Sequence, residues 1–189
     1  KNVLEGLAFV AENNHFLTMG VKPTRPEPGY GYIQMGDVLC DNIYQVQSFT
    51  EKPERDFAKI FMESGEFYWN TGLFLSNVSY LRKCFCKILP PVLREYDKRY
   101  PEFSVETENA YISSYPNISV DFGILEKPSN VCVMKCDFGW ADLGTWHSIY
   151  EAMQKGSNDN VIVDSDVLME DCHNTVVKMP KGKLAVLNG

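Results

Sequence analysis

Positive charge is the scarcer sign in this sequence: 18 Lys and Arg stand against 25 Asp and Glu, a net charge of −7. That balance argues against a general nucleic-acid or anionic-membrane binder, which would present a basic surface to phosphate. Any phosphate partner must then be met by a local group. Histidine is rarer still, at three residues, and His147 and His173 are too far apart to suggest a metal cluster or a catalytic triad, so they read as structural. Long apolar runs are lacking: no stretch approaches the roughly 18 residues that span a bilayer. The opening KNVLEGLAFVAENN carries neither a charged leader nor a small-residue cleavage site. A soluble cytoplasmic protein is expected, with no membrane or nucleic-acid partner. The six cysteines form no C-x-x-C pair, so several read as small core residues rather than zinc ligands or disulfide partners. G-x-S-x-G, Walker A and G-x-G-x-x-G sequences are also absent.

What is present is an ordinary globular composition, 44% hydrophobic and 23% charged, which sets aside disorder and collagen-like repeats. At roughly 150 residues per domain, 189 residues hold one domain and the beginning of a second. Val3, Leu4, Leu7, Ala8, Val10 and Ala11 recur at helical spacing, with no capping signal ahead of them. Residues 15–21 read as a short buried strand, and KPTRPEPGYG after it as a surface loop. Residues 32–35 and 43–49 alternate as strands and are expected to pair antiparallel, with Gly36 and Asp37 marking the turn. Phe57, Ile60 and Phe61 predict an amphipathic helix over 54–64 ending at Gly65, a C′ glycine. A strand over 67–76 follows, then a helix over 79–96 broken at Pro90-Pro91. A short helix over 105–114, a strand over 130–137 and a helix over 144–154 complete an alternating α/β pattern. From Asn160 onward, short apolar runs between polar turns predict a small all-β module, with a regular β-helix suggested but not established.

Four places carry candidate chemistry. Glu51-Lys52-Pro53 follows a strand end, where α/β sheets present ligand groups. A carboxylate there can accept from sugar hydroxyls and an ammonium can face a phosphate, or the tripeptide is a solvated turn. Glu126-Lys127-Pro128 repeats the same residues. Tyr30-Gly31-Tyr32 offers close backbone approach at Gly31 and aromatic faces for a sugar ring, or a simple hairpin entry. In Trp69-Asn70-Thr71-Gly72, Asn70 brings a donor and an acceptor to one place, or the segment is a strand with a bulge glycine. In FGWADLGTW, Asp142 stands between a strand and a helix, as an N-cap or as a hard oxygen ligand for Mg²⁺.

Together GVKPTRPEPGYGYIQ at 20–34, FTEKP at 49–53, SGEFYWNTGLF at 64–74, SVDFGILEK at 119–127 and FGWADLGTW at 138–146 resemble the sugar-phosphate nucleotidyltransferases. Within these, the pattern is similar to that of the mannose-1-phosphate guanylyltransferases (GDP-mannose pyrophosphorylases). The resemblance implies the C-terminal part of a Rossmann-like, glycosyltransferase A-like mixed-sheet domain over 1–156, followed over 157–189 by the start of a β-rich module. It implies transfer of GMP from GTP to mannose 1-phosphate, giving GDP-mannose and pyrophosphate, with Mg²⁺ neutralising developing charge. Glu51 would bind mannose hydroxyls and Lys52 the sugar or its phosphate. Asn70 and the backbone at Gly31 would complete the pocket, and Asp142 would be one of two aspartates on the metal. Lys52 and Asp142 are thus the catalytic candidates, and a homodimer is the candidate assembly. A related pyrophosphorylase using glucose 1-phosphate and a non-catalytic sugar-phosphate-binding subunit are the alternatives. The family's glycine-rich loop G-G-x-G-x-R-L, its P-K and its first metal aspartate have no counterpart in these residues. Nor does the isomerase domain that some members carry downstream. The expectation is a portion of a larger protein, not productive with GTP by itself, with an exposed and destabilising sheet edge.

Overall fold

The computed structural model describes residues 1–99, 104, 113, 115–120, 123 and 131–189. The helix expected over 105–114, the repeated Glu126-Lys127-Pro128 and most of SVDFGILEK lie outside the described residues. The chain divides into two compact units, Lys1–Phe138 and Gly139–Gly189.

In the first unit, helix α1 (Asn2–Glu12) leads into strand β1 (Phe16–Val21), in which all six residues are buried, as their apolar run predicts. Strands β2 (Gly31–Cys40) and β3 (Ile43–Glu51) form the expected antiparallel pair. Their turn is at Asp41 and Asn42, not at Gly36 and Asp37. Asp41 takes φ 39°, a left-handed conformation that Asp tolerates. Gly36 and Asp37 instead lie inside β2 between Met35 and Val38, where the pairing register shifts. A bulge glycine and a turn glycine look alike in sequence.

Helix α2 (Arg55–Ser64) ends at Gly65 with φ 73°, the left-handed C-cap expected. Its buried face differs from the expected one: Ala58 is fully buried, whereas Phe57 and Ile60 are more than half exposed. Phe61 alone of the three aromatic and aliphatic markers turns inward, stacking on Phe67 with ring centroids 4.1 Å apart. Strand β4 (Phe67–Ser76) has the predicted bounds. Helix α3 (Val78–Ile88), capped by Asn77 Oδ1 on the Ser79 and Tyr80 N–H groups, gives way to α4 (Pro90–Arg99) where prolines interrupt the backbone donors.

Strand β5 (Val131–Cys136) runs parallel to β1 and antiparallel to β3. The five strands close in the order β1-β4-β2-β3-β5, a mixed barrel. The expectation of an open sheet edge is therefore overturned for this unit. β1 has β4 on one side and β5 on the other, so its backbone donors and acceptors are paired within the barrel. Leu17, Met19, Tyr32, Ile33, Val133 and Met134 fill the core, each at most 1% exposed. Phe16, Cys84 and Val131 form a further buried cluster against which Leu81, Phe85 and Ile88 of α3 pack.

Cys132 and Cys136 sit in β5, and burial pushes their thiols up to about 12 and about 11. With Cys84 and Cys172 also buried, most of the cysteines are the small core residues expected.

The second unit holds α5 (Trp146–Ala152) and strands β6 (Val161–Val163), β7 (Asp166–Glu170), β8 (Val176–Lys178) and β9 (Leu184–Asn188). β6 pairs in parallel with β8, and β7 with β9. Each strand thus meets one from another pass of the chain, which is the stacking of a coil rather than of a hairpin. Buried Asn160 ties the passes together: Nδ2 donates to Cys172 O at 2.7 Å and Oδ1 accepts from Thr175 N at 3.0 Å. Asp164, Asp171 and Asn174 turn the chain with positive φ, so the polar residues read as turns are turns.

Candidate functional site

At one end of the barrel β2 begins and β3 ends, and the register places Gly31 directly opposite Glu51. A side chain at position 31 has no room: its Cβ would lie 2.6 Å from Glu51 Oε2, 3.2 Å from Phe49 Cζ and 3.4 Å from Asn70 Cβ. Glycine therefore leaves a close-packed notch in which the Glu51 carboxylate and the Phe49 ring approach the backbone, with Asn70 Cβ beside them. Glu51 is mostly covered, its side chain 23% exposed, whereas that of Lys52 is 67% exposed. Lys52 takes φ 47°, an uncommon conformation for a lysine, which turns the chain out of the strand before Pro53. Its N–H donates to Tyr30 O at 3.2 Å, tying the turn to the preceding loop. Its Nζ stays 3.5 Å from Glu51 Oε1, so cation and carboxylate share one mouth.

Asn70 arrives from β4 by way of a bulge. Thr18 pairs with Phe74 and Gly20 with Asn70, so two steps along β1 correspond to four along β4. Gly72 absorbs the excess with φ 72°, and Thr71 Oγ1 pins the bulge by donating to Met19 O at 2.8 Å. The bulge-glycine reading of this segment holds, and the same bulge sets Asn70 Cβ beside Gly31. Asn70 Oδ1 accepts from Thr18 Oγ1 at 2.9 Å and from Gly72 N at 3.3 Å. Thr18 carries little signal in the sequence. Its only signal was one hydroxyl in the otherwise apolar run FLTMGV, a buried polar group that must find a partner.

The aromatic faces expected of Tyr30 and Tyr32 are not on offer. Tyr30 is 7% exposed and packs edge-on against Trp69 at 5.0 Å, while Tyr32 is fully buried against Phe61. They support the loop instead: Tyr32 OH accepts from Glu27 N, and the Arg25 guanidinium lies over the Tyr30 and Trp69 rings. A separate cleft of about 700 Å³ in this unit is lined by Lys22, Asp41, Asn42, Tyr68, Lys135 and Asp137 among others, and by none of Gly31, Glu51, Lys52 or Asn70.

Asp142 lies in the second unit, in the exposed turn before α5. The N-cap of α5 is not Asp142 but Thr145, whose Oγ1 accepts from Ser148 N at 3.1 Å. Asp142 Oδ1 accepts from Gly144 N at 2.6 Å, which orients the carboxylate by a local turn. Among the described residues no group of three or more His, Cys, Asp or Glu converges. The donor set here is one hard, oriented carboxylate, which suits an ion that takes most of its shell from water and substrate phosphate. His147 and His173 are both exposed, so neither is a core residue. Among the described residues no helix is long and apolar enough to cross a membrane.

The nucleotidyl transferase family model matches residues 2–159. Mannose-1-phosphate guanylyltransferase of Escherichia coli is 30% identical over 98% of this chain and 42% of its own length. Alginate biosynthesis protein AlgA of Pseudomonas aeruginosa is 35% identical over 95% of this chain and 38% of its own. A crystal structure described as mannose-1-phosphate geranyltransferase from Thermus thermophilus matches with a TM-score of 0.77 at 28% identity. It covers 98% of this chain and 54% of that one. The chain spans about two-fifths of the length of these curated relatives, and its mixed α/β architecture is that of the solved neighbour.

Proposed function

The chain belongs to the nucleotidyl transferase family, and from that premise we propose that it carries the sugar-phosphate side of GMP transfer from GTP to mannose 1-phosphate. A phosphate oxygen of the sugar phosphate attacks the α-phosphorus of GTP in line, the α–β anhydride bond breaks, and GDP-mannose and pyrophosphate leave. Little covalent chemistry falls to the protein, so catalysis is positioning and charge stabilisation. Glu51 accepts from mannose hydroxyls, and Asn70 and the Gly31 backbone complete the seat. Lys52, held at the mouth by its own turn, sets a point charge toward the sugar's phosphate. Asp142 would hold Mg²⁺, which when bound supplies charge neutralisation on the phosphates. Residues 1–156 are assigned to the catalytic domain and 157–189 to the β-rich module. Cytoplasm, where GTP and sugar phosphates are available, is the assigned compartment, and a homodimer the assigned assembly.

The observation that supports this reading most is the notch at Gly31, where the absence of a side chain lets the Glu51 carboxylate come against the backbone with Asn70 Cβ alongside. A seat of that kind suits a hydroxyl-rich ring. The relatives named for mannose 1-phosphate add to it.

The test is pyrophosphate release by the full-length protein from GTP with Mg²⁺ and a panel of sugar phosphates. Mannose 1-phosphate should be preferred. Glu51→Gln should raise its KM by about 10- to 100-fold, the worth of one charge-assisted hydrogen bond. A clear preference for glucose 1-phosphate would reject the mannose assignment, and silence with every sugar phosphate would reject the transferase.

A further inference from the structure

The loop between β1 and β2 carries Pro23, Pro26 and Pro28, so between Pro26 and Tyr30 only Glu27 and Gly29 have a backbone N–H to place. Both are placed through Glu27: its own N–H donates to Tyr32 OH at 3.0 Å, and its Oε1 accepts from Gly29 N at 3.1 Å. A glycine suits position 29, because a Cβ there would lie 3.2 Å from that oxygen. The other carboxylate oxygen, Oε2, accepts from Arg25 Nε at 3.3 Å. The Arg25 guanidinium lies over the Tyr30 and Trp69 rings, 5.9 and 5.6 Å from their centroids, and its Nη2 donates to Tyr30 OH at 3.5 Å. Glu27 O in turn accepts from Tyr30 N at 3.4 Å. One side chain thus joins the residue two before it to the residue two after it, and Tyr30 is held by ring, hydroxyl and amide. Tyr30 O is the acceptor for Lys52 N at 3.2 Å, and Lys52 keeps its uncommon φ of 47° there.

We propose that Glu27 is a positioning residue for Lys52: its carboxylate braces Arg25 and Gly29, so that the Tyr30 carbonyl stays where it holds the Lys52 turn. Arg25 is then a strut, its charge met by Glu27 and its plane by two rings. Without a fixed acceptor for its N–H, a lysine ahead of a proline relaxes to the extended backbone that such residues prefer. Its ammonium then leaves the place it holds 3.5 Å from Glu51 Oε1. The inference rests on the reading of Lys52 as the cation that meets the sugar's phosphate.

The experiment compares Glu27→Ala, which removes the brace, with Glu27→Gln, which keeps an acceptor for Gly29 N and gives up the charge toward Arg25, in the full-length protein. The first readout needs no substrate. Hydrogen exchange at the Lys52 amide should speed up at least about 10-fold in Glu27→Ala and less in Glu27→Gln, while the Leu17 and Val133 amides of the barrel core exchange as in the parent. Arg25→Lys keeps the charge but loses the planar fork and the ring contact, so it should also speed the Lys52 amide. The second readout is kinetic. Glu27→Ala should raise the KM for mannose 1-phosphate about 10-fold while the KM for GTP changes less than about 2-fold. In a Lys52→Ala background Glu27→Ala should have no further effect on the KM for mannose 1-phosphate, because the residue through which it acts is gone. Unchanged exchange at Lys52, equal acceleration of the core amides, or a Glu27→Ala effect that persists in full without Lys52 overturns the role of Glu27. Faster exchange at Lys52 in a protein that uses no sugar phosphate overturns the functional reading and leaves the Glu27 brace standing.

Discussion

Glu51 is in place because β3 ends opposite Gly31 of β2, and Asn70 because a bulge in β4 opposite β1 aims it there, so two register relationships converge on one notch. Asp142 is set by its own neighbourhood: Gly144 two residues on fixes its carboxylate, and Thr145 starts the helix that follows. The barrel site is therefore a long-range construction, whereas the Asp142 turn is a short-range one. What differs is how each tolerates change. A site made by register cannot be adjusted without moving strands, while a turn made by adjacent residues can be altered locally.

That contrast can be broken at several points. The largest effect is expected at the turn, where removing charge keeps the local geometry. Asp142→Asn should lower turnover by at least about 100-fold, as for loss of a principal electrostatic group, with little change in stability. Near-full activity would remove the metal assignment. At the notch, Gly31→Ala places a methyl against Glu51, Phe49 and Asn70. Mannose 1-phosphate affinity should fall about 100-fold by calorimetry, since displacements near 1 Å are that costly. A variant that binds normally would show that the notch is not the seat.

A smaller effect tests the local character of the turn. Thr145→Ala removes only the α5 cap and should cost about 1 kcal/mol in chemical denaturation; a loss several times larger would mean that the turn is not local. The last effect belongs to the barrel alone and is confined to alkaline pH. Cys132 and Cys136 bind their protons more tightly when folded, near 12 and 11, than at the ordinary thiol value of 9.0. Their contribution is whole below pH 9 and lost as pH rises toward 11 and 12, because the unfolded chain releases those protons first. Denaturation midpoints under reducing conditions should fall across that window, and Cys132→Ala should flatten the fall.

Features with local causes were legible from sequence. The apolar run of β1, the Gly65 stop, the proline break between α3 and α4 and the limits of β4 each follow from a few adjacent residues. The hairpin turn is not legible there, because register shifts within β2 give Gly36 the same appearance as a turn glycine. The inner face of α2 is not legible from hydrophobicity, which does not say which apolar residue becomes buried. Ala58 fits the close contact and Phe57 does not. Tyr30 and Tyr32 were expected at the surface of a loop, yet both rings are consumed in holding it.

By itself, then, the order of residues determined which groups are proposed for a sugar phosphate and a hard cation: Glu51, Lys52, Asn70, Asp142 and a glycine at 31. Only the tertiary structure decided that Gly31 faces Glu51, that Asn70 is carried to them by a bulge, and that Thr18 meets its amide. The reason is physical. Side-chain chemistry and backbone preference act over a few residues, but strand register and barrel closure are set by pairing between segments tens of residues apart.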